Sequence, residues 1–193
     1  SVARALELCG GRPAFVETGA ALAGHGAIIL PGVGAFADGM AELRSRGLDW
    51  ALREAVNGGA ALLGICLGMQ LLADRGFEGG DTPGLGLIGG SVERHAPQSG
   101  ERVPHVGWNE VRPLRPSPLF DGIEPGTDFY FVHSYRIRCA DPCDALAETP
   151  YCGGFTACVA RDRIFGAQFH PEKSQRAGFA LLRNFLALAA QTD

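Results

Sequence analysis

The chain has 193 residues, with 17 basic and 21 acidic side chains and a formal net charge of −4. A chain of this length is typical of one domain that buries roughly 70% of its unfolded surface. Because 46% of the residues are hydrophobic and only 20% are charged, the composition excludes a disordered tail and a basic nucleic-acid binder. No apolar run reaches the roughly 18 residues of a membrane span. We therefore expect one α/β domain over residues 1–193, with neither nucleic acid nor a membrane among its partners.

The first half of the chain alternates between helical and extended patterns. Its strongest strand signal is the uninterrupted apolar run at 60–65, which suits a parallel strand covered on both faces. The alternation predicts a central, mostly parallel sheet flanked by helices. The predicted helices are 1–9, 38–57 and 67–73, and the predicted strands are 13–17, 27–30 and 60–65.

The second half is richer in short extended segments, which proline and glycine turns separate. These segments predict a small antiparallel β part added to the central sheet. A last amphipathic helix is predicted at 175–190. The predicted strands are 87–94, 106–111, 129–138, 145–148, 156–160 and 164–169.

One cysteine lies at the turn between the predicted strand 60–65 and the helix that follows. Cys66 is flanked by Gly64 and Gly68, which is the spacing of a nucleophile elbow with cysteine in the usual serine position. The helix N-terminus favours thiolate over thiol, and the backbone N–H of Leu67 points at an oxygen on the attacked carbon. A buried cysteine at a glycine-rich turn is the alternative interpretation of this segment alone.

A histidine and a glutamate follow the predicted strand 164–169. His170 precedes a proline, which pushes its backbone toward the extended conformation. Residues i and i+2 of an extended chain project to the same side, so Glu172 can orient the imidazole. The order Cys66, His170, Glu172 differs from that of the α/β hydrolases, in which the acid precedes the histidine. Taken alone, the segment is also compatible with a surface loop.

A glycine-rich turn at 30–34 closes the predicted strand 27–30. Such turns present backbone N–H groups at the carboxyl edge of a parallel sheet, where ligands bind. This turn is therefore a candidate for a second oxyanion donor.

The other cysteines fit a metal site poorly. Their spacings differ from those of structural zinc sites, and a chain of this length does not need a disulfide framework. We expect free thiols, no metal and no cofactor. The four that lie closest together in sequence are Cys139, Cys143, Cys152 and Cys158.

Five segments of the chain carry a resemblance to one family. They are PGVGAF at 31–36, GICLGMQ at 64–70, HVGWN at 105–109, YFVHSY at 130–135 and FHPEKS at 169–174. Together they resemble the class I glutamine amidotransferases, and within that family the glutaminase subunits of imidazole glycerol phosphate synthase. The elbow and the His-Pro-Glu stretch are shared by many class I glutaminases, whereas VGWN and EKS are more specific to this subunit.

The resemblance implies a flavodoxin-like fold and a triad of Cys66, His170 and Glu172. Cys66 would attack the side-chain amide of L-glutamine, and His170 would protonate the departing ammonia. The resemblance also implies two sets of binding residues. Backbone groups of Val33, Gly34 and Leu67 would bind the oxyanion, and Gly32, Gln70, Glu78, Ser134 and Tyr135 would contact the substrate.

The resemblance implies a partner as well. Ammonia would pass to a (β/α)8-barrel cyclase subunit, in a cytoplasmic heterodimer that serves histidine biosynthesis. Trp108, Asn109 and His105 would face this partner, although the residue pattern alone also allows Trp108 to be a core aromatic. The remaining histidines, His25 and His95, are expected at the surface.

The chain departs from the family at its start. Family members open with an apolar strand before the helix that corresponds to residues 1–9, and in a flavodoxin-like order this strand lies between the next two. Without it, the predicted strands 13–17 and 27–30 would face a gap of about 4.8 Å on each side. We therefore expect the first strand to be missing from this chain and present in the natural protein.

Three other functions stay open from the sequence. The chain can be the glutaminase of another synthase, such as that for anthranilate or guanylate. It can be a catalytically silent regulatory subunit, which the intact triad disfavours. A cysteine peptidase is the third, and there Gln70 and the VGWN stretch would have no obvious use.

Overall fold

The computed structural model describes residues 1–191, in which helices cover both faces of a central sheet. None of the helices in this part of the chain is both long and apolar enough to cross a membrane. The α-helices are Val2–Leu8 (α1), Gly19–Leu22 (α2), Phe36–Ser45 (α3), Leu48–Asn57 (α4), Leu67–Gln70 (α5) and Gln175–Ala190 (α6). The strands are Ala27–Gly32 (β1), Ala61–Cys66 (β2), Ala73–Gly76 (β3), Thr82–Pro83 (β4), Ile88–Arg94 (β5), His105–Pro113 (β6), Thr127–His133 (β7), Tyr135–Cys139 (β8), Ala145–Thr149 (β9), Phe155–Arg161 (β10) and Ile164–Ala167 (β11).

The main sheet has the strand order β1-β2-β11-β10-β9-β6-β7. The α/β class is confirmed, but the parallel part is smaller than predicted, because only the β1-β2 and β2-β11 pairings are parallel. The connections explain the difference. Helices α3 and α4 join β1 to β2, whereas a short turn at 162–163 joins β10 to β11, and such a turn can only join antiparallel strands.

Strand β2 lies at the centre of the core, and every residue in it is buried. Leu63 and Ile65 pack in the cluster that includes α1 and α6, while Leu62 packs in the cluster that includes α3 and α4. Burying one such side chain fully contributes roughly 1.5–3 kcal/mol. The prediction of a strand covered on both faces is confirmed.

Two predicted helices of the first half differ from the structure. The predicted helix 38–57 is two helices, because Gly47 adopts φ 65° between them. The predicted helix 67–73 ends at Gln70, and the chain then enters β3.

The predicted strand 13–17 is not a strand, and the side chain of Phe15 is 87% exposed. Strand β1 is an edge strand, and no other strand of residues 1–191 pairs with its outer side. A strand needs neighbouring backbone to satisfy its N–H and C=O groups. Segment 13–17 has no such neighbour and remains irregular.

The predicted strand 129–138 is two strands that separate at Ser134. Strand β7 pairs with β6 in the main sheet, while β8 pairs with β5 in a second sheet of order β4-β3-β5-β8. This second sheet is the predicted small added β part, and two of its three pairings are antiparallel. Helix α6 has the predicted bounds.

Helix α5 begins where β2 ends and packs closely against β1. A Cβ at Gly68 would overlap the carbonyl oxygen of Leu30, and a Cβ at Gly64 would lie 2.7 Å from the carbonyl carbon of Gly68. Both glycines that flank Cys66 are therefore required by the close approach of backbone, as the elbow motif predicts.

We expect Gly68→Ala to lower the free energy of unfolding by about 3 kcal/mol, because the added methyl group meets backbone that cannot move without displacing β1. Urea denaturation followed by circular dichroism measures this. Gly26→Ala is the control, since a Cβ there meets open space, and it should change stability by less than about 0.5 kcal/mol. Equal stabilities of the two variants would contradict this account of the turn.

Candidate active site

Cys66 lies at the carboxyl edge of the main sheet, where β2 meets α5. Its backbone has φ 55° and ψ −112°, a conformation that few residues other than glycine adopt. The residue is 7% exposed. Its sulfur lies 3.9 Å from the carbonyl oxygen of Val132 and 3.8 Å from Nε2 of Gln168. The turn thus fixes the sulfur near the ends of β7 and β11.

His170 follows β11, which runs parallel to β2 and so ends at the same edge of the sheet. Nδ1 of its ring lies 2.8 Å from Oε1 of Glu172, which is the i, i+2 contact that the sequence predicts. Both side chains are largely buried. An ionised carboxylate only accepts hydrogen bonds, so Nδ1 carries a proton.

The groups on either side of the His170 ring control its charge. Burial lowers the pKa of the imidazole, but the nearby Cys66 sulfur and the Glu172 carboxylate outweigh burial and raise the pKa to about 9. Burial also raises the pKa of Glu172, and the hydrogen bond from His170 outweighs it, so that this pKa is lowered. At neutral pH the pair is an imidazolium beside a carboxylate.

The second ring nitrogen of His170 is buried, and the Cys66 sulfur, although near enough to raise the pKa of the ring, does not meet the geometry of a hydrogen bond to it. Within residues 1–191, Nε2 makes no hydrogen bond. Buried polar atoms are rarely left in this state, and those that are often serve a function. Nε2 is therefore the atom of this ring that is left to act on a bound molecule.

The backbone of His170 is held by β7. Its N–H donates to the carbonyl oxygen of Tyr130 at 2.9 Å, and its carbonyl accepts from the Ser174 hydroxyl at 2.7 Å. The same hydroxyl accepts from the N–H of Tyr130 at 3.0 Å. The sequence analysis assigns no role to Ser174. The signal that could have indicated one is its position, four residues after a candidate base and at the start of a predicted helix.

The predicted oxyanion residues follow Cys66 and its neighbour on β1. Leu67 follows Cys66 as the first residue of α5. Val33 and Gly34 follow Gly32, a predicted substrate residue that is the register partner of Cys66 across β1 and β2. Gly34 has φ 102°, which favours glycine. The Val33 side chain is 80% exposed.

The predicted substrate residue Gln70 is tied into the floor of the site. Its amide nitrogen donates to the carbonyl oxygen of Tyr135 at 3.1 Å and to Oε1 of Gln168 at 3.0 Å. Ser134, between β7 and β8, and Tyr135, the first residue of β8, are half-buried. Sequence reasoning missed Gln168, although the alternation of an extended chain places it on the same side as the histidine two residues later.

Glu78 is partly engaged in the fold. Its Oε2 accepts a hydrogen bond from the backbone N–H of Phe36 at 2.8 Å, so it satisfies an otherwise unpaired N–H at the start of α3. This bond joins the end of the turn after β1 to the segment after β3. The other carboxylate oxygen, Oε1, takes no part in this bond.

Three histidines form a buried chain near Cys66. Nδ1 of His133 lies 3.2 Å from Nε2 of His95, and Nε2 of His133 lies 3.0 Å from Nδ1 of His105. Burial lowers the pKa of His95 and of His105 to about 4, and that of His133 to about 3, so all three rings are neutral at pH 7. The prediction that His95 lies at the surface is wrong. It is 4% exposed and packs edge-on against Phe155.

The outer face of β6 and β7 is apolar and exposed. The register places Val106 opposite Val132 and Trp108 opposite Tyr130. Alternate residues of a strand share a face, so these four side chains lie side by side. Val106 is 57% exposed and Trp108 48% exposed. We call this group the β6–β7 face.

Of the three residues predicted to face a partner, one lies on this face. Trp108 is exposed there and is not a core aromatic. Asn109 is half-buried, and His105 is buried within the sheet's inner side.

The chain matches known proteins along most of its length. The family model for class-I glutamine amidotransferases matches residues 13–189. The imidazole glycerol phosphate synthase subunit HisH of Moorella thermoacetica is 52% identical over 158 residues, which are 82% of this chain and 74% of that protein. The HisH subunit of Symbiobacterium thermophilum is 47% identical over 185 residues, 96% of this chain and 86% of that protein. This chain belongs to the class I glutamine amidotransferase family, and within it to the HisH group.

Solved structures share the fold. The crystal structure of a glutamine amidotransferase gives a TM-score of 0.76 at 24% identity, covering 98% of this chain and 93% of that one. The structure of PurLQS from Thermotoga maritima gives 0.75 at 21% identity, covering 97% and 91%. The expected class I fold is therefore confirmed.

We expect Glu172→Gln to lower the pKa of His170 from about 9, because a neutral amide stabilises the imidazolium less than a carboxylate does. NMR titration of the ring measures this. The folded pKa lies above the unfolded value of 6.5, so the stabilisation is present below pH 6.5 and is lost as the pH rises through about 9.

The free energy of unfolding should consequently fall less steeply across that pH range in Glu172→Gln than in the unchanged chain. Glu93→Gln is the control, because Glu93 pairs with Arg138 at the surface. A His170 titration that Glu172→Gln leaves unchanged would refute the pairing.

Proposed function

We propose that this chain is the glutaminase subunit of an imidazole glycerol phosphate synthase. It hydrolyses L-glutamine to glutamate and ammonia in the cytoplasm and passes the ammonia to a cyclase subunit for histidine biosynthesis. The observation that supports the proposal is the interaction of the Cys66 sulfur with the His170 ring, which also pairs with Glu172, in a chain of this family. The chemistry needs only a nucleophile, an acid–base group and water, so it requires no cofactor.

The first half of the reaction forms a thioester. The Cys66 thiolate attacks the side-chain amide carbon of glutamine, and the carbonyl oxygen becomes an oxyanion. Nε2 of His170 gives its proton to the amide nitrogen, the C–N bond breaks, and ammonia leaves. The raised pKa of His170, about 9, keeps this proton available at neutral pH.

The second half releases glutamate. His170, now neutral, takes a proton from water, and the resulting hydroxide attacks the thioester carbon. Taking this proton restores the imidazolium. Collapse of the second tetrahedral intermediate then expels the Cys66 thiolate, and the glutamate carboxyl group loses its proton to solvent. Glu172 stabilises the imidazolium each time His170 is protonated.

The oxyanion is bound by backbone N–H groups of Leu67 and of the turn at Val33 and Gly34. Loss of one such donor typically costs ~10²–10³ in rate, so a small change in this turn is sufficient to switch hydrolysis on or off. Gly32 lines the same edge of the site.

The substrate is held by side chains around that edge. Both hydrogen bonds of Gln70 use its amide nitrogen, which leaves the amide oxygen for glutamine. Glu78 has one oxygen outside its bond to Phe36, and we assign it to the substrate's α-amino group. Ser134 and Tyr135 supply further contacts.

The (β/α)8-barrel cyclase subunit docks on the β6–β7 face. Exposed contiguous apolar side chains are typical of interaction surfaces, and aromatic residues are often the strongest contributors to them. Trp108 is the central anchor, stacked edge-on against Tyr130 with ring centroids 5.9 Å apart.

We expect Cys66→Ala to reduce glutamate formation by roughly 10⁴-fold or more, since it removes the nucleophile. Glutamate is measured with and without the cyclase and its nucleotide ligand. Cys143→Ala, at an exposed cysteine, is the control and should keep full activity. Hydrolysis by Cys66→Ala would exclude the triad, and equal rates with and without the cyclase would exclude a gated subunit.

We expect Trp108→Ala to weaken binding of the cyclase subunit by roughly 30-fold, the effect of losing about 2 kcal/mol at an interface anchor. Isothermal titration calorimetry measures this. Trp50→Ala is the matched control, because Trp50 is also exposed but lies on α4, away from the β6–β7 face. If both variants bind as tightly as the unchanged chain, the docking surface lies elsewhere.

A further inference from the structure

One backbone oxygen fixes the orientation of two buried side chains near the active site. The carbonyl oxygen of Tyr135 lies 3.1 Å from the amide nitrogen of Gln70 and 2.8 Å from Nδ1 of His133. A carbonyl can only accept hydrogen bonds. Gln70 must therefore present its NH₂ group to it, and His133 must carry its proton on Nδ1.

The first consequence is that an amide N–H group is directed toward the sulfur of Cys66. The second N–H of Gln70 donates to Oε1 of Gln168 at 3.0 Å, so the NH₂ group of Gln168 faces the other way. That group lies 3.8 Å from the Cys66 sulfur. Gln168 is 0% exposed and Gln70 5% exposed, so water has little access to disturb this order.

The second consequence concerns two residues of β6, His105 and Asn109. With its proton on Nδ1, neutral His133 has an unprotonated Nε2, which accepts from Nδ1–H of His105 at 3.0 Å. Nε2 of His105 then accepts from the amide nitrogen of Asn109 at 3.2 Å. The Asn109 oxygen accepts from the backbone N–H of Glu110, which agrees with this orientation.

Besides the His170 imidazolium, the sulfur of Cys66 has two polar neighbours of opposite preference. The carbonyl oxygen of Val132, at 3.9 Å, can accept only from a thiol and disfavours a thiolate. The amide of Gln168 donates, and a donor bound to an ionised acceptor is stronger than one bound to a neutral acceptor. Gln168 thus favours the reactive form in addition to His170.

We propose that Gln168 is a further catalytic residue, whose amide N–H stabilises the Cys66 thiolate. Gln70, oriented by the Tyr135 carbonyl, is the positioning residue that fixes the direction of this amide. The inference rests on the proposed function, because it assigns a role in the same nucleophilic step. Without the hydrogen bonds that join the Tyr135 carbonyl, Gln70 and Gln168, the amide of Gln168 would be equally able to turn its oxygen toward the sulfur.

The test is the rate at which iodoacetamide alkylates Cys66 near neutral pH, read by peptide mass spectrometry. Alkylation follows the thiolate fraction. Gln168→Met keeps the volume and removes the donor, so it should slow Cys66 alkylation roughly tenfold. At alkaline pH, where Cys66 is fully ionised and the alkylation rate no longer rises with pH, the variant and the unchanged chain should react equally fast. A variant that only changed access to the sulfur would still differ in rate there.

The chain contains its own controls for this experiment. Exposed Cys143 should react equally in both proteins, and buried Cys158 should stay unlabelled as long as the variant is folded. Gln168→Glu, which is nearly the same shape, should slow Cys66 at least as much, because it places a carboxylate at the sulfur. Alkylation of Cys66 at the unchanged rate in either folded variant would overturn the role of Gln168.

A double-mutant cycle tests the positioning role. Gln70→Met should slow Cys66 alkylation in the unchanged chain and should have no further effect in Gln168→Met, since its influence passes through that amide. Additive effects would overturn the positioning role. Because alkylation needs neither glutamine nor the cyclase, these results are independent of whether glutamine hydrolysis is observed.

Discussion

The structure depends on the backbone at Cys66, where a buried parallel strand turns into a helix with no intervening residue. The approach of α5 to β1 leaves no space for a side chain at Gly64 or Gly68, and Cys66 itself takes φ 55°. A conformation of this kind costs of order 1–3 kcal/mol and persists only where the surroundings hold it. The buried strand β2 stabilises this conformation. The sulfur is therefore fixed at the edge of the sheet where β11 ends and His170 follows.

Strand β7 connects this site to the surface. Its backbone carbonyls at Tyr130 and Val132 contact the N–H of His170 and the sulfur of Cys66, while the side chains of the same two residues belong to the β6–β7 face. If the cyclase subunit docks on this face, as proposed above, it contacts the strand that positions both reacting groups. Strand β7 would then be the physical route by which the cyclase controls the glutaminase.

The parts of the site that were predictable from sequence are those that local geometry determines. The glycines around Cys66 and the i, i+2 contact of His170 with Glu172 follow from the covalent chain. The burial of His95 does not, because it depends on His133 and Phe155, which are distant in sequence. Likewise, the run 129–138 carries no glycine or proline to mark its break, and segment 13–17 has strand-like residues but no neighbouring strand.

The central claim is that one sulfur among six cysteines is activated inside a glutamine site. Treating the chain, in complex with its cyclase, with a glutamine analogue whose side-chain amide is replaced by an electrophilic carbon tests this directly, with the labelled residue identified by mass spectrometry. The account predicts one equivalent of label on Cys66, excess glutamine that protects it, and much slower labelling in His170→Asn. Label on exposed Cys143 in preference to Cys66, or labelling of Cys66 that glutamine does not slow, would contradict it.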